Sequence, residues 1–239
     1  MEGTEVADGA KIFGLTLFLE GEKTLVFSDA HLGYEEYLNK QGIMVPKFQY
    51  NGVAAQVREA LEETKPEKVV VDGDLKHEFG RISEQEWKEV LKFLDLLEGH
   101  EVVLVKGNHD NVLGPIAGRK NVTVTDEYKA GKFLIIHGNR IPDKKSLEGV
   151  ETIVIGHEHP AVGLREEGRV EKMKCFLVGE WRGKRLIVLP SLNQVTEGTD
   201  LLKEKPLSPL LDDVGDFKAY CIEDGEVLYF GRISELPVE

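Results

Sequence analysis

The chain has 239 residues, 41 % hydrophobic and 31 % charged, with a formal net charge of −13. This length fits one domain over 1–239 with a sizeable core, and no apolar run approaches the roughly 18 residues needed to cross a membrane. The acidity is densest in 197–239, with 4 Lys/Arg against 11 Asp/Glu; it argues against long-range attraction of nucleic acid, although bound cations can reverse the field locally. The first ten residues carry three acidic side chains and no basic one, unlike a secretory leader, so a cytoplasmic location is expected. Cys175 and Cys221 stand apart in apolar runs and read as small buried hydrophobes, not as a disulfide framework or a thiolate metal site. High charge with two Cys and three Met hints at a thermophilic source.

In chain order, strand-like runs come first at Ile12–Glu20 and Thr24–Phe27. A weak helical pattern covers Tyr34–Lys40. A stronger one covers Val53–Glu63, with Val53, Val57, Ala60 and Leu61 on one face. After a strand at Val69–Val71, Glu84–Leu97 carries Trp87, Val90, Leu91, Leu94 and Leu97 at helical spacing, which places Trp87 in the core. Ser83 and Glu86 form a capping box at its start, and Gly99 lies just past its end. Further strands are expected at Val102–Val105, Phe133–Ile136, Thr152–Ile155, Cys175–Gly179, Leu186–Leu189, Phe217–Ile222 and Val227–Phe230. Continuous V/I/L/F runs of this length fit strands buried on both faces. Strands alternate with helices in the first half, which predicts a parallel or mixed sheet. Beyond Gly149 the chain reads as mostly β. Glu197–Gly215, polar and holding Pro206 and Pro209, is expected to be a long loop or lid.

The chemistry gathers at the strand ends. Thr24–Phe27 leads into Asp29-Ala30-His31, and Val69–Val71 into Asp72-Gly73-Asp74. Val102–Val105 leads into Gly107-Asn108-His109-Asp110, Phe133–Ile136 into His137, and Thr152–Ile155 into Gly156-His157-Glu158-His159. Loops at the C-terminal ends of such strands collect on one edge of the sheet, where sites form. Imidazole and carboxylate without thiolate suit Mn, Fe, Zn or Ni. Asp29 and His31 are spaced so that both reach one ion, as are His157 and His159. Asp74 can bridge two ions through its two oxygens, and the neutral Asn108 makes sense beside such a bridge. Two ions held this way clamp a phosphate and acidify a shared water. Glu158, between two ligands, should point away from the metals. His100 reads as surface, and Lys106, Arg119, Lys120 and Arg140 as solvated charges. Pro190–Asn193 follows another strand and has low odds of reaching the same edge.

Asp29-x-His31, Gly73-Asp74, Gly107-Asn108-His109-Asp110, His137 and Gly156-His157-x-His159 together resemble the signature of calcineurin-like metallophosphoesterases. All five blocks occur in the family's order. The resemblance implies a four-layer α/β/β/α sandwich of two mixed β-sheets flanked by helices, with its metal site at the strand C-terminal edge. It implies one ion on Asp29, His31, Asp74 and His159, and another on Asp74, Asn108, His137 and His157. His109, oriented by Asp110, would stabilise the phosphoryl group or protonate the leaving oxygen. Asp29-Ala30-His31-Leu32-Gly33 and Gly73-Asp74-Leu75-Lys76-His77 are similar to blocks of SbcD-type repair nucleases. His77 would then contact substrate phosphate or support His109. The chain also resembles small archaeal stand-alone phosphoesterases.

The expected function is hydrolysis of phosphodiesters, in nucleotides or nucleic acid, by a hydroxide bridging two divalent ions, Mn²⁺ before Fe, Zn or Ni. A phosphomonoesterase acting on small molecules or protein is the alternative within the same chemistry. A non-catalytic scaffold is the alternative of another class, and Asn108, His109 and Asp110 argue against it because a scaffold needs no proton donor. Exposed edge strands and the segment after Val195 offer surfaces for a homodimer. Tyr34 is expected to cover the site or to stack on a base. Substrate choice is assigned to Tyr34–Gln49, Glu78–Ser83 and Glu197–Gly215.

Overall fold

The computed structural model describes residues 3–79, 82–110, 113–166 and 169–237. Seven strands lie side by side in chain order in the first sheet: β1 (Thr4–Ala7), β2 (Ala10–Phe13), β3 (Thr16–Leu19), β4 (Thr24–Phe27), β5 (Lys68–Asp72), β6 (Glu101–Val105) and β7 (Thr123–Thr125). From β1 to β4 they are antiparallel, and from β4 to β7 parallel. Parallel neighbours need crossovers. These hold the helices α1 (Tyr34–Lys40), α2 (Gln49–Thr64), α3 (Glu84–Leu96) and α4 (Gly114–Lys120). The run Ile12–Glu20, expected as one strand, is the β2–β3 hairpin. It turns at Gly14, whose φ is 53°, a left-handed conformation that glycine adopts without steric cost.

The second sheet contains β8 (Tyr128–Ala130), β9 (Phe133–Ile135), β10 (Thr152–Ile155), β11 (Pro160–Glu166), β12 (Arg169–Trp181), β13 (Lys184–Val188), β14 (Thr199–Asp200), β15 (Lys218–Glu223) and β16 (Glu226–Arg232). β9, β10 and β13 run parallel. The long β12 pairs with β11 early and with β13 and β15 later.

Strand alternation sorts the buried side chains into three layers. Leu25, Phe27, Val69 and Val71 pack with Val53, Val57, Val90 and Phe93 of α2 and α3. Phe27 meets Phe93 edge to face, their ring centres 5.9 Å apart. The intervening Val26, Val70 and Val103 face Ile135, Val154 and Ile187 across the gap between the sheets. Ile153, Ile155, Leu186 and Val188 point outward from the second sheet.

That outer face is closed by Leu201, Leu210, Leu211 and Val214, with Ile233 from a 3-10 turn at Ile233–Glu235. Of the two expectations for Glu197–Gly215, the long loop holds, broken only by the short β14, and the lid is corrected. The segment is polar in composition, but its leucines fill the fourth layer. Buried Glu158 anchors it by accepting hydrogen bonds from the backbone N–H of Leu207 (2.8 Å) and Ser208 (2.9 Å). Cys175 and Cys221 are both buried free thiols, as their apolar surroundings suggest, and they face one another as register partners on β12 and β15.

At α3 the capping box forms as expected, Ser83 accepting from Glu86 N–H. Trp87 is corrected from core to half-buried, with the Arg119 guanidinium 5.1 Å from its ring. Glu86 is the fully buried neighbour. Its carboxylate accepts from the backbone N–H of Ser83 (3.1 Å), His77 (3.1 Å) and Glu78 (2.7 Å). One side chain thus starts the helix and holds the His77 loop. Glu86→Ala leaves these donors unsatisfied and should lower stability by about 2–4 kcal/mol, read from urea unfolding midpoints. A change under about 0.5 kcal/mol would contradict this role.

Candidate metal centre

Asp29 and His31 follow β4, and Asp74 follows β5. Asn108, His109 and Asp110 follow β6, His137 follows β9, and His157 and His159 follow β10. These strand ends converge on one edge. The backbone there is unusual: Asp29, His31, Asp74, His157 and His159 all have positive φ, between 44° and 64°. Non-glycine residues rarely adopt this conformation, and it costs of order 1–3 kcal/mol each at functional sites. The left-handed turns bring backbone N–H groups and side chains inward together.

The two carboxylates are used alike. Asp29 Oδ2 accepts from the His157 N–H at 2.9 Å and from the Ser28 hydroxyl. Asp74 Oδ1 accepts from the His109 N–H at 2.8 Å. Each second oxygen faces imidazoles. Asp29 Oδ1 lies 3.0 Å from His159 Nε2 and 4.0 Å from His31 Nε2. Asp74 Oδ2 lies 3.9 Å from His31 Nε2, 3.4 Å from His137 Nε2 and 3.8 Å from His109 Nε2. The Asn108 carbonyl oxygen is 3.2 Å from His137 Nε2. His31 Nε2 and His159 Nε2, both lone-pair donors when neutral, are 3.4 Å apart.

Asp29 Oδ1 is buried and makes no hydrogen bond despite its close neighbours. Lone pairs of carboxylate and imidazole aimed at one buried space fit a cation there. Among the described residues, Asp29, His31 and His159 could hold one ion, and Asp74, His137 and His157 another. A third group, His31, His77 and His109, shares His31 with the first.

Titration of the metal-free site follows from this crowding. Burial works against ionising Asp29, but the imidazoles of His159, His137 and His31 hold its carboxyl far below the usual range. Burial and neighbouring His159 depress His31 to about 3. Burial and His137 depress His157 to about 4. For His137 burial again opposes charge, but the hydrogen bond to Asp74 and the charge of Asp29 raise it to about 10. Burial pushes the Asp72 carboxyl, at the end of β5, well above its ordinary value.

The surrounding groups include several that the sequence did not mark. Lys76, fully buried, donates to the carbonyls of His109 and Glu78 and ties the two loops together. Ser191 Oγ donates to the Asp29 carbonyl at 2.7 Å, and Leu192 and Asn193 N–H groups donate to the carbonyls of Ser28 and Asp29. Pro190–Asn193 therefore does reach the site edge. Lys174 supports it by donating to the Ser191 and Asn193 carbonyls. Gly107 cannot carry a side chain, because a Cβ would sit 2.0 Å from Asp74 Oδ1. Glu158 points away from the cluster as expected, although the cause is not strand alternation: residues 157–159 lie between β10 and β11, with left-handed backbone at His157 and His159.

The expected link between His109 and Asp110 is corrected. Asp110 is buried and accepts from Gly107 N–H at 3.1 Å, while His109 Nδ1 is hydrogen-bonded to the His77 carbonyl. Burial and the nearby Asp74 raise Asp110 to about 6. The turn after β6 folds its carboxylate back onto its own backbone, out of reach of the His109 ring. The loop assigned to substrate choice, Glu78–Ser83, includes Gly80 and Arg81, which lie outside the described residues.

Residues 22–197 match the family model described as calcineurin-like phosphoesterase. No curated protein matches the sequence. Among solved structures, a nuclease of Pseudomonas putida, MPE, superposes with a TM-score of 0.70 at 19 % identity, covering 96 % of this chain and 99 % of that one. A conserved protein of Streptococcus pneumoniae, a predicted phosphoesterase, matches at a TM-score of 0.36 and 16 % identity over 87 % and 97 % of the two chains. Yfce, a phosphoesterase of E. coli, matches at 0.40 and 17 % over 74 % and 89 %. At these identities the 0.70 superposition reports a shared fold.

A metal ion must displace the proton that His137 holds at pH 7, since its value of about 10 lies above that pH. His31 and His157 are already neutral there and release none. Mn²⁺ loading at pH 7 is expected to release about one proton per chain, measured by calorimetric titration in buffers of different ionisation enthalpy. Equal heats in every buffer would contradict the protonated His137.

Proposed function

Because the chain belongs to the calcineurin-like phosphoesterase family and is a metal-dependent phosphoric ester hydrolase, we propose that it hydrolyses phosphodiesters using two divalent ions. In this reading Asp29, His31, Asp74 and His159 would hold one ion, and Asp74, Asn108, His137 and His157 the other. Mn²⁺ is the first choice, the ligand set also suiting Fe, Zn or Ni. The observation that carries it is Asp74 Oδ2, which lies within 3.9 Å of His31 Nε2 and 3.4 Å of His137 Nε2 and so faces both donor groups at once. When bound, such an ion pair neutralises charge on the phosphoryl oxygens and makes a water acidic enough to serve as nucleophile near neutral pH.

The chain's own residues do the rest. His109 is the proposed general acid. Its Nδ1 meets the His77 carbonyl, which can only accept, so Nδ1 carries a proton; the imidazolium would give its second proton from Nε2 and stay neutral with Nδ1–H. That Nε2 lies 3.8 Å from Asp74 Oδ2, beside the donor cluster, where a leaving oxygen would need its proton. Lys76, holding the His109 and Glu78 carbonyls, fixes the ring's height over the site. His77 is a positioning residue here, acting through its carbonyl. Asp110 acts one step further out by shaping the Gly107 turn.

The diester preference is supported by what lines the open side. His77 is half-buried and depressed to about 4 by burial and the neighbouring His109, so it brings no positive charge at pH 7. Rings of Tyr34, Tyr37 and Phe79 flank it. A diester has one negative charge and a second organic group, and it suits such a wall better than a dianionic monoester does.

With Mn²⁺ added to stripped protein, bis-p-nitrophenyl phosphate should be cleaved faster than p-nitrophenyl phosphate, and the reverse order would favour the monoesterase. His109→Ala should lose about 10²–10⁴ in kcat while elemental analysis still finds two ions. Full activity in that variant would remove His109 from the chemistry.

A further inference from the structure

Beside the metal cluster lies a cleft of about 460 Å³, lined by Tyr34, Tyr37, His77, Glu78, Phe79 and His109. Its volume falls within the range of small-molecule sites. Four of its rings form a tilted stack. Tyr34 and His77 have centres 4.0 Å apart at 36°, His77 and His109 5.4 Å at 34°, and His109 and Phe79 3.7 Å at 32°. The stack runs from α1 to the proposed general acid and ends on Phe79, which is 61 % exposed.

An exposed phenylalanine at the end of such a stack gains little from burial, so packing does not explain its place. The chain leading to it is held as far as Glu78, and its ring is seated on His109. His77 N–H donates to the Leu32 carbonyl at 3.1 Å, Glu86 accepts from His77 and Glu78, and Lys76 binds the Glu78 carbonyl. A ring fixed in advance binds a partner with little further loss of freedom. Glu78, the one carboxylate among the described lining residues, pairs with Lys40 at 3.3 Å, a lysine it shares with Glu36. The rest of the described lining is aromatic and imidazole rings, a flat surface next to the phosphate position on a protein of net charge −13.

We infer that this cleft is a nucleobase subsite, in which the exposed ring of Phe79, at the outer end of the stack, takes the base of an unpaired nucleoside forming one ester arm of the scissile phosphodiester. The inference rests on the phosphodiesterase reading and narrows it. A base has a face free for stacking only outside a duplex, so the substrate is a nucleotide diester or a single-stranded end. An acidic chain repels a long phosphate backbone, whereas stacking is indifferent to charge and base identity.

The test compares thymidine 5′-(p-nitrophenyl phosphate) with methyl p-nitrophenyl phosphate on the Mn²⁺-loaded protein. The leaving group is the same and only the other ester arm differs. The nucleoside substrate should have a kcat/KM about 10- to 100-fold higher. Phe79→Leu should remove most of that preference, and Phe79→Trp should keep it. Because the readout is a ratio, any effect of the variants on His109 common to both substrates cancels. No preference in the parent, or an unchanged preference in Phe79→Leu, overturns the subsite. If neither ester is cleaved, the hydrolase reading fails on its own, and calorimetric binding of thymidine 5′-monophosphate decides the subsite: weaker binding in Phe79→Leu supports it, equal binding overturns it. A dimer that dissociates in Phe79→Leu with the ratio unchanged would assign Phe79 to a contact between copies and also overturn it.

Discussion

Asp29 and Asp74 are buried at the edge where the two sheets meet, and each has one oxygen bonded to a backbone N–H and the other turned toward imidazoles. A buried carboxylate facing neutral rings is unfavourable unless a cation joins them. Much of the nearby structure bears the cost of holding this arrangement. Five of the clustered residues have left-handed backbone, and the hydrogen bond to Asp74 with the charge of Asp29 holds His137 in its protonated form against burial. The site is therefore a strained, acidic pocket whose stability and occupancy by metal are coupled.

The shell around it explains how that strain is sustained. Glu86 begins α3 and also gathers the His77 loop. Lys76 joins that loop to the turn after β6, and Lys174 with Ser191 props the backbone of Asp29 from the second sheet. Each is a charged or polar side chain bonded to backbone, so it fixes where loops run without competing for the donors that face the centre. Both sheets contribute candidate metal donors and both contribute supports. The site can therefore form only when the sandwich is closed.

Much of this was legible in the sequence, for definite reasons. Continuous V/I/L runs located β4, β5, β6, β9, β10 and β13, because strands buried on both faces have no polar positions. The Asp, Asn and His at their ends named the donor set, because metal chemistry restricts ligand types. The capping box fixed the start of α3. Other features were hidden. The β11–β12 hairpin was not read as such at its polar end, because strands pairing away from a core lack apolar alternation. The packing of the 197–215 segment, read as a long loop or lid, stayed hidden because its apolar residues Leu201, Leu210, Leu211 and Val214 are spaced with no helical or strand period, yet all four pack on the second sheet.

The sequence by itself determined which carboxylate, amide and imidazole side chains gather, in what order and on which edge, since residue type and strand direction are local properties. Only the tertiary structure decided their partners. It turned Asp110 onto Gly107 and gave His109 to the His77 carbonyl. It brought Pro190–Asn193 to the site across the sandwich and aligned Tyr34, His77, His109 and Phe79 in one stack. Apart from the local Asp110–Gly107 bond, these contacts join residues 30 to 164 positions apart. No local spacing encodes them, because they follow from how the closed sheets force their loops together.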